Sequence, residues 1–152
     1  MGVKTPERQL DEFISKYSPT VQAIAREALT KMRQRLPGAI ELVYDNYNAL
    51  AIGFGPTERA SEVFFSIALF PRWVSLFVMG GAHLPDPHNI LKGSGKGVRH
   101  IVLENAATLE RPAVQTIMKL ALERGRLKLD PSSGNRIVIK SISAKQRPRR
   151  PS

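Results

Sequence analysis

The segment LKGSGKGVRH, Leu91 to His100, places three glycines, two lysines, an arginine and a histidine within ten residues. Glycines let successive backbone N–H groups converge on an anion, and lysine or arginine adds charge to such a nest. Lys92, Gly93, Gly95, Lys96 and Arg99 are therefore candidate ligand-binding residues for phosphate or another small anion. The spacing excludes a Walker loop. That motif needs a glycine five residues before the glycine of the Gly-Lys pair and a Ser or Thr after the lysine, and here Ile90 and Gly97 hold those places. The segment from Gly80 to Gly97 is eighteen residues long, and structureless loops of that length are often functional.

A second set of side chains is aromatic. Tyr44, Tyr47, Trp73 and Phe77 would line an apolar pocket, with the tyrosine hydroxyls as polar handles, and Asp45 lies between the two tyrosines. His83, Asp86 and His88 fall within six residues of a proline-rich stretch, but no fourth ligand accompanies them and no metal site is assigned. No Ser-His-Asp, Cys-His or paired-carboxylate arrangement stands out, and there is no Gly-x-Ser-x-Gly elbow. The chain reads as non-enzymatic, with no cofactor firmly implied.

The formal charge of +10 is unevenly placed. Residues 1–62 balance eight Lys and Arg against eight Asp and Glu, whereas residues 63–152 carry fifteen against five. Arg124 to Arg150 holds nine basic residues, with Asp130 as its one acid. Such asymmetry points to an anionic partner. The leading partner is a small anionic or phosphorylated molecule. The alternative is nucleic-acid backbone, met by Lys145, Arg147, Arg149 and Arg150. That contact would be weak and nonspecific, because no Phe, Tyr or Trp follows Phe77 to supply a stacking platform.

One domain's length of chain must position these groups. At 152 residues, 42% of them apolar, the chain can bury a core. Without cysteine it forms no disulfide and no Cys-ligated metal site. No apolar run approaches the ~18 residues of a membrane span, and Met1 to Gln9 is polar, so no membrane is expected and the setting is cytoplasmic. Nothing in the pattern specifies an oligomeric state.

Thr5-Pro6 and Ser18-Pro19 each pair an N-cap with proline at the first helical position, and apolar residues follow at helical spacing as far as Pro37-Gly38. From Ile40 to Leu103 the pattern turns to strands: IELVYD, ALAIGFG, EVFFSIALF, RWVSLFVM and VRHIVLE. Thr108 offers the cap of a third helix that ends near Gly125. RLKLD and RIVIKSI around PSSGN predict a closing hairpin. The expected fold is α+β: one domain over 5–143, an antiparallel sheet of about five strands against N-terminal and C-terminal helices, plus that hairpin. Residues 144–152 read as a basic, disordered tail, because they combine proline and arginine with no apolar anchor.

These elements together resemble the YdhG-like domain family of small bacterial proteins. The resemblance rests on LDEFISKYSPTVQAIAREALTKMRQRLPGAIELVYDNYNALAIGF, on Phe70-Pro71-Arg72-Trp73, on LKGSGKGVRHI and on IMKLALERG, covering about residues 9–125. It implies an antiparallel sheet flanked by helices, with a frataxin-like shape. One branch of that family is an intracellular iron chaperone, which makes iron handling a further alternative. Hard iron ions favour carboxylates, and the first helix offers Glu7, Asp11 and Glu12.

Overall fold

Two capping signals set the N-terminal helices. In the computed structural model, which describes residues 3–151, Thr5 Oγ1 accepts the Arg8 N–H at 3.2 Å and Pro6 opens α1 (Pro6–Ser15). Ser18 Oγ does the same for the Val21 N–H, and Pro19 opens α2 (Pro19–Arg35). A proline at that position loses no hydrogen bond, since the first N–H groups have no intrahelical acceptor. Leu10, Phe13 and Ile14 from α1 and Val21, Ala25, Ala28, Leu29 and Met32 from α2 are all buried.

The strands are β1 (Ile40–Asp45), β2 (Leu50–Gly55), β3 (Phe65–Leu69), β4 (Val74–Val78), β5 (Arg99–Leu103) and β6 (Arg136–Ile142). They form one sheet in the order β5-β4-β3-β2-β1-β6. The row Val43, Ile52, Ile67, Leu76 and Ile101 crosses five strands in register, and every member is buried. Because strand side chains alternate, this row fixes which face meets the helices. Helix α2 lies over β3 and β4, and α1 over β6.

Three expectations change. The sheet has six strands rather than about five, and it is mixed rather than wholly antiparallel, because β6 runs parallel to β1. There is no closing hairpin: residues 126–135 contain no strand. That segment instead sits on the α2–β1 turn, where a Cβ on Gly38 would collide with the Asp130 carbonyl. Asn135 Oδ1 accepts the Gly38 N–H at 2.8 Å, so β6 starts beside Ile40 and follows β1 in the same direction.

The third helix also begins later than Thr108. Asn105 caps a 3-10 turn over Ala106–Glu110, and α3 runs Pro112–Arg124. Proline disfavours a helical residue before it, and Arg111 is extended at ψ 132. Among the described residues no helix is long and apolar enough to cross a membrane.

Residues 144–151, expected as a disordered tail, are packed. They return across the β1–β2 turn as a strap, with Arg149 only 6% exposed. Ser152 lies outside the described residues.

Candidate functional site

The site lies at the end of the sheet where the β1–β2 and β3–β4 turns emerge together, since Asp45 pairs with Leu50, Leu50 with Leu69, and Leu69 with Val74. The strap reaches it directly from β6. Ser143 donates its backbone N–H to the Asp45 carbonyl at 2.9 Å, and the Arg147 N–H goes to the Tyr47 carbonyl at 2.9 Å.

A buried ion pair anchors the strap. Asp45 shares the helix-covered face of β1 with Glu41 and Val43, where a lone carboxylate would be costly. Arg149 meets it: Nη2 donates to Asp45 Oδ1 at 3.0 Å and also to the Asn46 carbonyl, while Nη1 donates to the Tyr47 carbonyl at 3.3 Å. Lys16 Nζ approaches the other Asp45 oxygen at 3.5 Å. Beneath the pair lies Tyr17, fully buried, whose hydroxyl accepts the Leu50 N–H and donates to the Leu69 carbonyl, both at 3.1 Å. Burial pushes the Tyr17 hydroxyl up to about 12, against the lowering effect of nearby Arg149. Glu41, the other acid on this face, is answered by α2: Arg33 holds it with two hydrogen bonds, at 2.8 and 2.9 Å.

With Arg149 turned inward, Arg147 and Arg150 face a groove of about 770 Å³ whose other wall is the β3–β4 turn. That turn is tight: the Phe70 N–H donates to the Trp73 carbonyl at 2.9 Å, which leaves Pro71 and Arg72 at its tip. The Phe70 and Trp73 rings stack at 4.8 Å and 19°. Trp73 is still 43% exposed. Arg147 lies over the ring of exposed Tyr47, 5.9 Å from its centre. Among the described residues no acidic side chain lines the groove. Arg72, Arg147 and Arg150 have no carboxylate partner among the described residues.

The residues singled out from sequence therefore divide. Tyr47, Trp73, Arg147, Arg149 and Arg150 come together at this end. Lys145 is exposed on the strap and does not line the groove. Tyr44 is half-buried on the sheet face away from the helices, opposite Ala51. The glycine–lysine loop stands at the far end of the sheet, because Arg99 pairs with Val78 at the end of β4 while Trp73 precedes its start. Five residues of strand separate the two by roughly 17 Å.

Within that loop the charges are turned on the loop itself. Arg99 donates to its own neighbours, the Val98 and Gly95 carbonyls, at 2.9 and 3.1 Å. Lys92 Nζ reaches the Asn89 carbonyl at 3.4 Å, and its backbone bridges His100. Gly93 and Gly95 have φ of 122° and 96°, so the turn itself requires glycine there. Lys96 is exposed.

Asp86 uses both carboxylate oxygens to accept the Ile90 and Leu91 N–H groups, and among the described residues no three His, Cys, Asp or Glu side chains gather as metal ligands. Of the acids on α1, Asp11 pairs with Arg26, and Glu12 pairs with Lys4 and Arg8. A second concavity, about 480 Å³, opens near Phe64, Met79 and Leu84. Its arginines are engaged, Arg126 with Glu62 and Arg124 with the His83 carbonyl.

Sequence reasoning missed Phe70 and Arg72 as site residues. The aromatic platform absent from the basic segment is supplied by turns far away in sequence. Comparison with protein-family models, with curated proteins and with solved structures finds no match to this chain.

Proposed function

We propose that this chain is a non-enzymatic binding domain for an anionic ligand, and that the ligand sits between the Phe70–Trp73 turn and the C-terminal strap. One observation carries the reading. Three guanidiniums without a carboxylate partner among the described residues, Arg72, Arg147 and Arg150, belong to a single groove. Guanidinium is weakly hydrated and its fork matches phosphate oxygens two at a time. The buried anchor at Arg149 holds two of the three donors near position before any ligand arrives, which lowers the ordering cost of binding. The glycine–lysine loop is the weaker seat, because both Nη atoms of Arg99 and the Lys92 Nζ are turned on its own carbonyls, whereas Arg150 gives only its Nε, to the Lys16 carbonyl.

The YdhG-like resemblance belongs to the same proposal for residues 9–125. Arg147 and Arg150 lie beyond that stretch, so ligand binding here would be a property of the strap joined to a family-like core. A cytoplasmic setting, where phosphorylated ligands abound, completes the reading.

Trp73 is the one tryptophan in the chain, so intrinsic fluorescence reports the groove directly. Titration with inorganic tripolyphosphate should give a saturable change whose affinity falls as salt rises. Replacing Arg72, Arg147 and Arg150 together by alanine should abolish it, and replacing Lys92 and Lys96 should not. Absence of any saturable response in the wild-type protein, or loss of it only in the lysine variant, would overturn the proposal.

A further inference from the structure

We infer that the ligand of this groove is single-stranded nucleic acid, with one base stacked on Trp73 and the flanking phosphates on Arg72, Arg147 and Arg150. The inference rests on the anion-binding reading above and adds what a bare anion leaves unexplained, the exposed indole. A tryptophan on a two-residue turn costs solvation if it has no partner. Here one side of the ring is already covered by Phe70 at 4.8 Å, while 43% of the residue stays open. Phe70 braces the indole in one orientation, and a braced planar surface beside arginines is the arrangement that single strands use. Every base has a face to stack, and every linkage has a phosphate to pair.

The rest of the groove fits the same occupant. Pro148 and Pro151 interrupt the strap's arginines and offer no backbone N–H, and the Arg147 N–H is already taken by the Tyr47 carbonyl, so guanidiniums supply that wall's charge. Asn48 adds an amide that both donates and accepts, as a base edge requires. A duplex fits poorly, because its bases are stacked on one another and cannot lie on an indole without being displaced. An acidic peptide would satisfy the arginines and leave Trp73 without a partner.

The test compares five probes on the full chain: an oligothymidylate of about twelve residues, within the site sizes usual for such proteins, an abasic strand and a duplex of equal length, tripolyphosphate and polyglutamate. The oligothymidylate should quench Trp73 and bind about 10-fold more tightly than the abasic strand, as expected for one stacked base. Its affinity should fall with salt with a logarithmic slope near −2, for about three phosphate contacts on a single strand.

In Trp73→Ala, followed by the anisotropy of labelled oligonucleotide, affinity should drop to that of the abasic strand. Trp73→Phe should recover part of the difference. If abasic and base-bearing strands bind equally while tripolyphosphate still binds, the nucleic-acid inference is overturned and the anion reading survives. Polyglutamate or a duplex binding as tightly as oligothymidylate would also overturn it. Failure of every polyanion would overturn both.

Discussion

Arg149→Ala removes one member of a buried ion pair that lies outside the hydrophobic core. In the native chain the Asp45 side chain is 1% exposed and the Arg149 side chain 5%, with 3.0 Å between charged atoms. Removing one member of such a pair while the other stays buried costs about 3–5 kcal/mol. The chain has a second route, which is to release the strap and let water reach Asp45. That route breaks four further hydrogen bonds: those from Gln146, Arg147 and Arg150 to the carbonyls of Asp45, Tyr47 and Lys16, and an exposed one from Lys16 to Gln146. At about 1 kcal/mol net each, and less for the exposed one, release costs roughly 3–4 kcal/mol, so it competes with burial and caps the loss. The expected outcome is a fall of about 3 kcal/mol in urea-unfolding free energy, with the strap detached and the sheet intact.

Two further measurements fix the interpretation. Limited proteolysis after Lys145 should accelerate in the variant. A double-mutant cycle with Asp45→Asn should give a coupling of about 2 kcal/mol or more, as residues in direct contact do. A loss under about 0.5 kcal/mol, the level of an ordinary surface substitution, with unchanged cleavage would refute the anchoring role of the pair.

Tyr17 gives a pH signature. Its hydroxyl is raised from 10.0 to about 12, so the neutral form is favoured in the native state; the stabilisation is full below pH 10 and is lost as pH rises toward 12. Urea unfolding across that window should show stability falling by up to ~1.4 kcal/mol per pH unit from this group, and Tyr17→Phe should remove that part of the slope. Gly125→Ala should cost about 1–3 kcal/mol in thermal or urea unfolding, because its Cβ would collide with the buried Phe64 ring and force it to move. Lys96→Ala should change stability by less than about 0.5 kcal/mol and leave tripolyphosphate affinity unaltered; a large drop in affinity would return the ligand to the glycine–lysine loop.

Local signals were readable wherever the cause is local. Thr5-Pro6 and Ser18-Pro19 start helices because cap and proline act within one turn, and β1 to β5 follow from apolar runs joined to their neighbours by short or marked turns. The closing hairpin failed because Leu127 and Leu129 alternate like a strand, yet the partner of β6 is β1, chosen by packing at the Gly38 turn. The tail was misread for a related reason. Its composition contains no apolar anchor, and the anchor it does have is an ion pair to a carboxylate 104 residues away. A signal was present in IELVYD, where Glu41 and Asp45 share the phase of buried Val43. Two acids on a covered face require two cationic partners, and Arg33 and Arg149 are those partners. The groove itself was illegible, since Tyr47, Trp73 and Arg147 meet only once the sheet's turns are brought side by side.

The parallel pairing of β6 with β1 bears on the order in which the protein becomes itself during synthesis. Strands β1 to β5 are antiparallel neighbours in a chain of adjacent pairings, so they can assemble as they emerge. Until Arg136–Ile142 has been made, the free side of β1 is an unpaired edge, the kind that recruits a strand from another copy. The strap comes later still. A nascent chain would thus carry its tryptophan platform long before its arginine wall, and a message cut short after β5 would leave much of the sheet with an open flank and half a groove. Binding in the proposed groove would therefore report that the last strand has closed that flank.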